Sequence, residues 1–498
     1  MKRLFLFGLT FFSFAVGVRA AEEMFDFEML RYRAKLLAAR PYVPKEGRVP
    51  AALRGLTYDQ HRTIRFRPEQ AWWRRDALPF QLQFFHPGWI FDRPVQISEL
   101  QGGMVEPVPF STELFDYDHN QLGALPETMG FAGFRVLFNL NKPEDELGAF
   151  LGASYFRFLC RGAAYGQSAR GLAINTGEPG GEEFPVFTDF WLERPLPGAK
   201  ALVIYALMDS PSVAGAYRLT ITPGAETMTH VRAVIYCRKN PAVLGIAPLT
   251  SMFWHTVNDR AALGDFRPEV HDSDGLLLNT GAGEWLWRPL TNPDKMRTVA
   301  FGDENPRGFG LLQRERRFAI YEDLEANYHI RPSTWVEPIG PWGRGAVRLV
   351  ELHADDETAD NMVAFWTPAQ LPAQGEPIEF EYRLHWFLDQ IHPPAGYTAA
   401  TRVGFSKTHE SDLKRIIVDF TGPYLKGQPA DPAIEPVVSV GPGAALVSTT
   451  LQKNPVNGSW RVAFALRADK SGRPVELRCF LRKSPHVLTE TWSYLWQP

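Results

Sequence analysis

The segment Val270-His271-Asp272-Ser273-Asp274-Gly275 places one histidine and two carboxylates directly before a glycine. Aspartate side chains bond to nearby backbone amides and glycine accepts positive φ, so Asp-x-Asp-Gly predicts a turn that ends one strand and begins another. An EF-hand loop is a poor fit, because Val270 stands where that pattern needs Asp or Asn. His271 is a candidate metal ligand, but no second histidine lies at ligand spacing, which favours a hydrogen-bonded loop histidine.

The next segment, Gly283-Glu284-Trp285-Leu286-Trp287-Arg288-Pro289, has the alternation of a strand. In a strand, Trp285 and Trp287 point to the same face. A tryptophan face beside carboxylates suits the apolar side of a sugar ring. The two segments together therefore favour a carbohydrate site, with burial of the tryptophans in a core as the alternative.

The composition indicates a mainly β protein. The chain has 498 residues, of which 45% are hydrophobic and 22% charged, and its length suits two domains. The aromatic content of 13%, with 40 Pro and 41 Gly, is typical of short strands joined by many turns. The net charge of −3 is not that of a basic protein, so no nucleic-acid partner is expected. Dinucleotide and P-loop fingerprints are absent from the sequence.

Residues 1–20 have the features of a Sec-type signal peptide. Lys2 and Arg3 precede an apolar run, and a small-x-small end predicts cleavage after about Ala20. The mature protein is therefore expected to be soluble and exported. The three cysteines, Cys160, Cys237 and Cys479, have no paired spacing and are interpreted as buried small hydrophobic residues.

Periodicity and turn residues divide the chain further. Phe25, Met29, Tyr32 and Leu36 recur at helical spacing and predict one amphipathic helix. The glycine-rich acidic segment 177–183 is interpreted as a loosely packed loop that can cover a cleft. A linker at residues 391–400 separates a larger domain, residues 21–390, from residues 401–498, whose strand spacing suits an immunoglobulin-like sandwich.

The mature chain resembles the glucans biosynthesis proteins G and D, which act on osmoregulated periplasmic glucans of Gram-negative bacteria. The resemblance lies in long, unusual strings at residues 56–59, 64–66, 84–88, 165–173, 181–185, 267–275, 283–289 and 360–366. It implies a large N-terminal β-sandwich similar to galactose mutarotase and a smaller immunoglobulin-like sandwich. It also implies a periplasmic location and a cleft that binds β-1,2-linked glucan.

Glycoside cleavage needs one carboxyl to protonate the leaving oxygen and another to activate water. The chain has acidic clusters around Asp272 and Asp360. The resemblance implies that Asp360 is the general acid and Asp272 the base, with Glu357 and Tyr328 near the reaction centre and a proton path through a substrate hydroxyl and water. The alternatives are a cap at a strand start for Asp360 and a packing aromatic for Tyr328.

Other candidates concern binding. Asp355 and Asp356 fit a solvated acidic turn better than a site. A second set is predicted to contact substrate, with burial in the core or structural ion pairs as the alternatives: Trp285, Trp287, Trp366, Arg170, Arg288 and Arg331. No metal or organic cofactor is expected, because two carboxylates suffice for acid–base glycoside chemistry.

Three functions remain open from the sequence. The first is an inverting β-1,2-glucanase or transglycosylase, favoured by the presence of both Asp272 and Asp360. The second is a non-catalytic protein that binds glucan for assembly or export. The third is a mutarotase-like epimerase, which rests on fold analogy alone. Contact with an inner-membrane glucan synthase is a further candidate, and both a monomer and a homodimer fit the sequence.

Overall fold

The computed structural model describes residues 24–44, 49–258, 264–389, 393, 395–405, 413–431, 433–469 and 471–498. The predicted signal peptide, residues 1–20, lies outside the described residues. The helices are α1 (Phe27–Ala38), α2 (Ala51–Arg54), α3 (Tyr58–Thr63), α4 (Phe318–Tyr321) and α5 (Pro423–Gly427). Within these ranges, none of the helices combines the length and apolar character needed to cross a membrane.

The strands of the first half of the chain are β1 (Arg65–Phe66), β2 (Phe80–Phe85), β3 (Gln96–Gln101), β4 (Met104–Pro107), β5 (Phe115–Asp116), β6 (Gly133–Phe138), β7 (Asp145–Leu151), β8 (Tyr155–Phe158), β9 (Ser168–Arg170), β10 (Leu172–Ile174), β11 (Val186–Glu193), β12 (Leu202–Asp209), β13 (Val213–Thr222), β14 (Thr227–Cys237), β15 (Leu244–Ser251) and β16 (Phe253–His255).

Those of the second half are β17 (Val270–His271), β18 (Gly275–Asn279), β19 (Trp285–Pro289), β20 (Arg297–Glu304), β21 (Gly308–Leu312), β22 (Ser333–Ile339), β23 (Arg344–Glu351), β24 (Met362–Pro368), β25 (Pro377–Phe387), β26 (Tyr397–Phe405), β27 (Leu413–Thr421), β28 (Glu435–Val440), β29 (Ala444–Lys453), β30 (Trp460–Ala468), β31 (Val475–Lys483), β32 (His486–Val487) and β33 (Thr491–Trp496).

Two large sheets form the N-terminal sandwich. One runs in the order β2-β6-β7-β8-β9-β15-β24-β23-β20, with β10 also paired to β15. The N-terminal part of the other runs β19-β18-β21-β22-β25-β14-β13-β12-β11-β3-β4. A single core joins side chains of both sheets, such as Phe84 and Phe150 from the first and Leu219 and Trp386 from the second. The predicted mainly β architecture built from sandwiches is confirmed.

The C-terminal strands form a smaller sandwich. The sheet β26-β27-β30-β29 packs on β28, β31 and β33 around residues such as Phe464 and Leu477. Strand β33 pairs in parallel with β19, so the second large sheet continues into the C-terminal sandwich. Strand β26 begins at Tyr397, inside the predicted linker. The exact division into domains stays a prediction.

Helix α1 forms where the periodicity predicts it, but its buried stripe differs. Its buried residues are Phe27, Leu30 and Ala34, which pack with residues of β13 and β14. Tyr32 is 61% exposed and Leu36 41% exposed. The predicted stripe is wrong because Phe25, its first member, precedes the helix and packs on Trp191 instead.

The three cysteines are free and buried, as predicted. Burial raises the pKa of the Cys160 and Cys237 thiols to about 11. Their thiolate forms are therefore scarce near neutral pH, which agrees with a packing role.

Candidate active site

Asp272 lies in the loop between β17 and β18, as the turn prediction required. Its backbone N–H donates to the carbonyl of Met252 at 2.8 Å, which fixes the loop against the preceding strand. The side chain is buried, and its Oδ1 accepts a hydrogen bond from Nη1 of Arg331 at 2.5 Å. Burial raises the pKa of Asp272, while the Arg331 charge opposes that rise. The ion pair favours an ionised carboxylate, which is the form that a base requires.

The reason for Gly275 differs from the predicted one. Its φ lies outside the left-handed region, so the turn does not use its conformational freedom. A Cβ at Gly275 would instead lie 2.3 Å from Cζ2 of Trp287, so the residue is needed for close packing. Asp274 also departs from a local turn: its carboxylate accepts from the backbone N–H groups of Arg314, at 2.8 Å and 3.0 Å, and Glu315, at 2.8 Å.

Asp360 precedes β24 and faces a different environment from Asp272. It retains accessible surface and has no hydrogen bond or salt bridge to another described residue. Protein surrounds the carboxyl closely enough that burial, followed by the negative charge of Asp272, raises its pKa to about 6. A carboxyl of this kind can hold a proton and donate it.

The alternative role of Asp360 as a strand cap does not agree with the structure. The neighbouring Asn361 makes those bonds: its Oδ1 accepts from the N–H of Phe253 at 2.9 Å. Its Nδ2 donates to the carbonyls of Phe253 and Leu352, both at 2.9 Å. The side chain of Asp360 is thus not needed to begin the strand.

Tyr328 and Glu357, which were both predicted to lie near the reaction centre, are in direct contact. The Tyr328 hydroxyl donates to Oε2 of Glu357 at 2.5 Å, and the Arg331 guanidinium carbon lies 4.1 Å from the centre of the Tyr328 ring. Arg267 donates to the same Glu357 oxygen at 2.6 Å and to Asp323 at 2.8 Å. Burial and the Glu357 carboxylate raise the pKa of Tyr328, so the phenol stays protonated.

Arg170 lies near Asp360, but other partners occupy its guanidinium. It pairs with Glu182 at 2.5 Å, donates to Thr250 at 2.8 Å, and lies over the ring of Tyr155 at 4.7 Å. Its side chain is buried, which agrees with the alternative that Arg170 forms a structural ion pair. Its positive charge acts on Asp360 by lowering the pKa that burial raises.

The loop at residues 177–183 is anchored, so the prediction of loose packing is wrong. Besides the bond to Arg170, Glu182 accepts from Thr176 at 2.6 Å. Glu183 accepts from the backbone N–H and the hydroxyl of Ser212 at 2.9 Å and 2.7 Å. The acidic side chains that suggested a solvated loop bind it to its neighbours.

An open cleft lies on the face of the first sheet next to these groups. One cavity of about 450 Å³ is lined by Tyr155, Arg157 and Tyr165, together with Phe85 and Phe91. A second cavity of about 510 Å³ is lined by the same two phenylalanines, so the two cavities adjoin and are together called the groove. Among the described residues that line the groove, neither Asp272 nor Asp360 is found; the groove is connected to the site through Arg157, whose charge lowers the pKa of Asp360.

The structure separates Trp285, Trp287 and Arg288 from the carboxylates of the cleft. Strand β19 turns both tryptophans towards the C-terminal sandwich, where Trp285 stacks on Trp335 and the Trp287 ring is covered by Arg314 at 3.6 Å. Arg288 is buried and pairs with Glu476 at 3.2 Å. The joint between the sandwiches occupies the side chains of these three residues, which agrees with the alternatives of core burial and a structural ion pair. Their contact with substrate stays a prediction.

Trp366 cannot reach a ligand, since its side chain is fully buried in the N-terminal core. Asp355 and Asp356 are exposed, which agrees with a solvated acidic turn. His271 is hydrogen-bonded, to Gln313 at 2.9 Å and Glu269 at 3.1 Å, but it is the last residue of β17 rather than a loop residue.

Three residues of the site were missed by sequence reasoning: Arg267, Tyr155 and Arg157. Strand alternation offered one signal, because Tyr155 and Arg157 are two residues apart in β8 and therefore share a face. Arg267 gave no such signal. Its importance depends on Glu357 and Asp323, which are distant in sequence and meet it only in the fold.

The chain is similar to known proteins over most of its length. The family model described as "Periplasmic glucan biosynthesis protein, MdoG" matches residues 25–496. The chain belongs to the MdoG family. It is 46% identical over 477 residues to glucans biosynthesis protein G of Ralstonia nicotianae, with 94% of this chain and 95% of the relative covered. The relative from Rhodopseudomonas palustris is 46% identical over 488 residues, covering 97% and 96%.

The MdoG family membership identifies a protein of periplasmic glucan biosynthesis, and the suspected resemblance is confirmed. Across the part of the chain that the structure describes, no three His, Cys, Asp or Glu residues are arranged to hold a metal ion. The prediction that no metal or cofactor is required stays a prediction.

Proposed function

We propose that the protein acts on β-1,2-linked glucan in the periplasm as an anomer-inverting endo-glucanase or transglycosylase. Family membership supports glucan as the polymer, and the resemblance to the G and D proteins supports the β-1,2 linkage. The observation that carries the enzymatic part is the contrast between two carboxyls whose charges influence each other. Asp360 has no hydrogen bond or salt bridge to another described residue and its pKa is raised to about 6, whereas Asp272 is paired with Arg331.

This contrast divides the chemical roles. Asp360 protonates the glycosidic oxygen as the bond to the anomeric carbon breaks, directly or through a substrate hydroxyl. Asp272 takes the proton from the attacking water, or from the sugar hydroxyl that replaces water in transfer. Attack from the face opposite the leaving group inverts the anomeric centre. Tyr328 and Glu357 hold Arg331 and the surrounding backbone in place through their short hydrogen bond.

We place the glucan in the groove beside Tyr155 and Arg157 rather than against Trp285 and Trp287. Aromatic rings can cover the apolar faces of glucose units, and arginines can donate to their hydroxyls. The ring of Tyr165 lies under the Arg157 guanidinium at 4.4 Å, and its hydroxyl donates to Glu146 at 2.7 Å. Both groups are thus held in fixed positions at the wall of the groove.

Incubation of the purified protein with linear β-1,2-glucan, followed by separation of the products and measurement of their anomeric configuration, tests the proposal. Short linear products with inverted configuration support a glucanase, and cyclic or elongated products support a transglycosylase. Binding without any new product would support the alternative of a non-catalytic glucan-binding protein for synthesis or export.

The pH dependence of kcat/KM should show an alkaline limb near pH 6. The general acid must be protonated, and Asp360, with its raised pKa of about 6, loses its proton as pH rises through that value. The base must be ionised, so activity also falls at low pH as Asp272 becomes protonated. Because burial raises the pKa of Asp272, this acid limb should lie above the ordinary value of about 3.9. An alkaline limb above about pH 8 would assign the acid to another group.

Tyr328→Phe should lower kcat about 10–100-fold, because hydrogen bonds to charged groups contribute about 1.5–3 kcal/mol. The change removes the hydroxyl that donates to Glu357 and keeps the ring beneath Arg331. Tyr217→Phe is the control, since this buried phenol of the N-terminal core donates to the carbonyl of Gly171 instead. Equal kinetic losses in the two variants would indicate general destabilisation rather than a role for the Tyr328–Glu357 bond.

A further inference from the structure

A buried ion pair joins the two sandwiches directly behind the candidate base. Arg314 donates through Nη1 and Nη2 to the two carboxylate oxygens of Glu490, at 2.7 Å and 2.9 Å. Both side chains are almost fully buried. Thr398 strengthens the pair, because its N–H donates to Glu490 at 2.8 Å and its carbonyl accepts from Arg314 at 3.1 Å. The Arg314 guanidinium therefore has its position set by residues of the C-terminal sandwich.

The backbone of Arg314 faces the Asp272 loop. Its N–H donates to the carboxylate of Asp274, two residues after Asp272, at 2.8 Å and 3.0 Å. The N–H of Glu315 donates to the same carboxylate at 2.8 Å. Any displacement of the Arg314 side chain that moves its backbone therefore acts on the loop that carries the candidate base.

Gln313 extends this support to the other side of the site. Its Nε2 donates to the backbone carbonyls of His271 and Tyr328, at 3.1 Å and 3.3 Å. These two bonds fix the orientation of the amide, so its Oε1 accepts from Nδ1 of His271 at 2.9 Å. One short segment thus holds Asp272, through His271 and Asp274, and Tyr328 from behind.

We propose that Glu490 of the C-terminal sandwich is a positioning residue for Asp272, acting through Arg314. This inference rests on the proposed function, in which Asp272 is the base. It gives the C-terminal sandwich a part in the chemistry, although none of its described residues lines the cavities of the groove. Because misplacement of a reacting group by about 1 Å can cost about 10²-fold in rate, a small shift of this clamp should be measurable.

The chain offers a matched control at the same joint. Arg288 pairs with Glu476 at 3.2 Å and donates to Ser493, so it also connects the two sandwiches. Among the described residues, neither member of this pair hydrogen-bonds through its side chain to residues 271–274 or to Tyr328. Loss of this pair should weaken the joint without displacing the candidate base.

The test compares Glu490→Asp with Glu476→Asp in the full-length mature protein. Glu490→Asp keeps the charge but withdraws the carboxylate by one methylene, so Arg314 must move to keep the pair. We expect kcat on β-1,2-glucan to fall about 10–100-fold with KM within about twofold. We also expect faster amide exchange in peptides covering residues 270–275 and 326–331. Glu476→Asp should leave the kinetics and the exchange of these peptides unchanged.

A second variant covers the case in which Glu490→Asp does not fold. Arg314→Met combined with Glu490→Leu removes both charges together, and apolar replacement of a buried ion pair is often neutral or stabilising. This variant should fold, lose kcat to a similar extent and show the same exchange pattern. Normal kcat with normal exchange in either folded variant would overturn the inference, and so would an equal kcat loss in Glu476→Asp.

Failure of the proposed function gives a different result. If the unmutated protein cleaves no glucan, the enzymatic proposal is lost, while amide exchange still reports whether Glu490 positions the Asp272 loop. If the unmutated protein cleaves glucan and the Glu490 variants behave like it in both measurements, only the positioning role is lost.

Discussion

Asp360→Asn is expected to lower glucan cleavage by about 10²–10⁴-fold, the usual contribution of a placed general acid. Asparagine keeps the shape of the side chain but cannot donate an acidic proton. Asp360 has no hydrogen bond or salt bridge to other described residues, so the fold should lose little stability and glucan should still bind. Measurement of kcat, of glucan affinity and of the melting temperature separates these effects.

The matched control is Asp355→Asn, which changes an exposed carboxylate in the same acidic segment and should leave kcat unaltered. A substrate whose leaving group needs no protonation, such as an aryl β-glucoside of the same glucan, should partly restore the rate of Asp360→Asn. Cleavage of natural glucan by this variant at the unmutated rate would disprove the assignment of the acid.

The strands could be predicted because alternation and turn residues are local signals. The loop at residues 272–274 and the alternation of β19 are both found as predicted. Both faces of β19 are buried, so alternation alone could not decide which face packs against the N-terminal core and which against the C-terminal sandwich. Leu286 packs in the N-terminal core and Trp287 in the C-terminal one. Alternation therefore leaves both a sugar-facing and a core role open for the tryptophan face, which in the structure packs at the joint.

The candidate carboxyls could be named from the sequence, but their contrasting environments could not. Asp272 and Asp360 are separated by the six strands β18 to β23, and their mutual electrostatic influence arises only in the fold. The partner of each arginine was equally hidden. Arg331 pairs with the base, Arg170 with a neighbouring loop and Arg288 with the C-terminal sandwich, and in each case the partner is distant in sequence or lies in another element.

The ion pair with Arg331 explains why the two carboxyls differ in their expected chemistry. Both are desolvated, which raises each pKa, but only Asp272 has an arginine within hydrogen-bonding distance. The negative charge that Arg331 favours on Asp272 then raises the pKa of Asp360. One ion pair thus promotes the ionised form of the base and the protonated form of the acid.

Asp272→Asn is expected to lower glucan cleavage by about 10²–10⁴-fold, because the attacking water loses the group that takes its proton. Asparagine retains an oxygen that can accept from Arg331, so the loop should keep its place. Ser273→Ala is the control in the same loop, since it removes a hydroxyl bonded to Ser251 and leaves both carboxyls intact. It should retain kcat within several-fold.

Two further measurements distinguish the base from the acid. An aryl leaving group should not rescue Asp272→Asn, because protonation of the leaving oxygen is not the step that this variant lacks. Loss of the Asp272 charge removes one cause of the raised pKa of Asp360, so the alkaline limb of the residual activity should move below pH 6. The double variant with Asp360→Asn should be little slower than either single variant, because both residues serve one step. An alkaline limb that stays at its original pH in Asp272→Asn would show that the two carboxyls are not coupled as proposed.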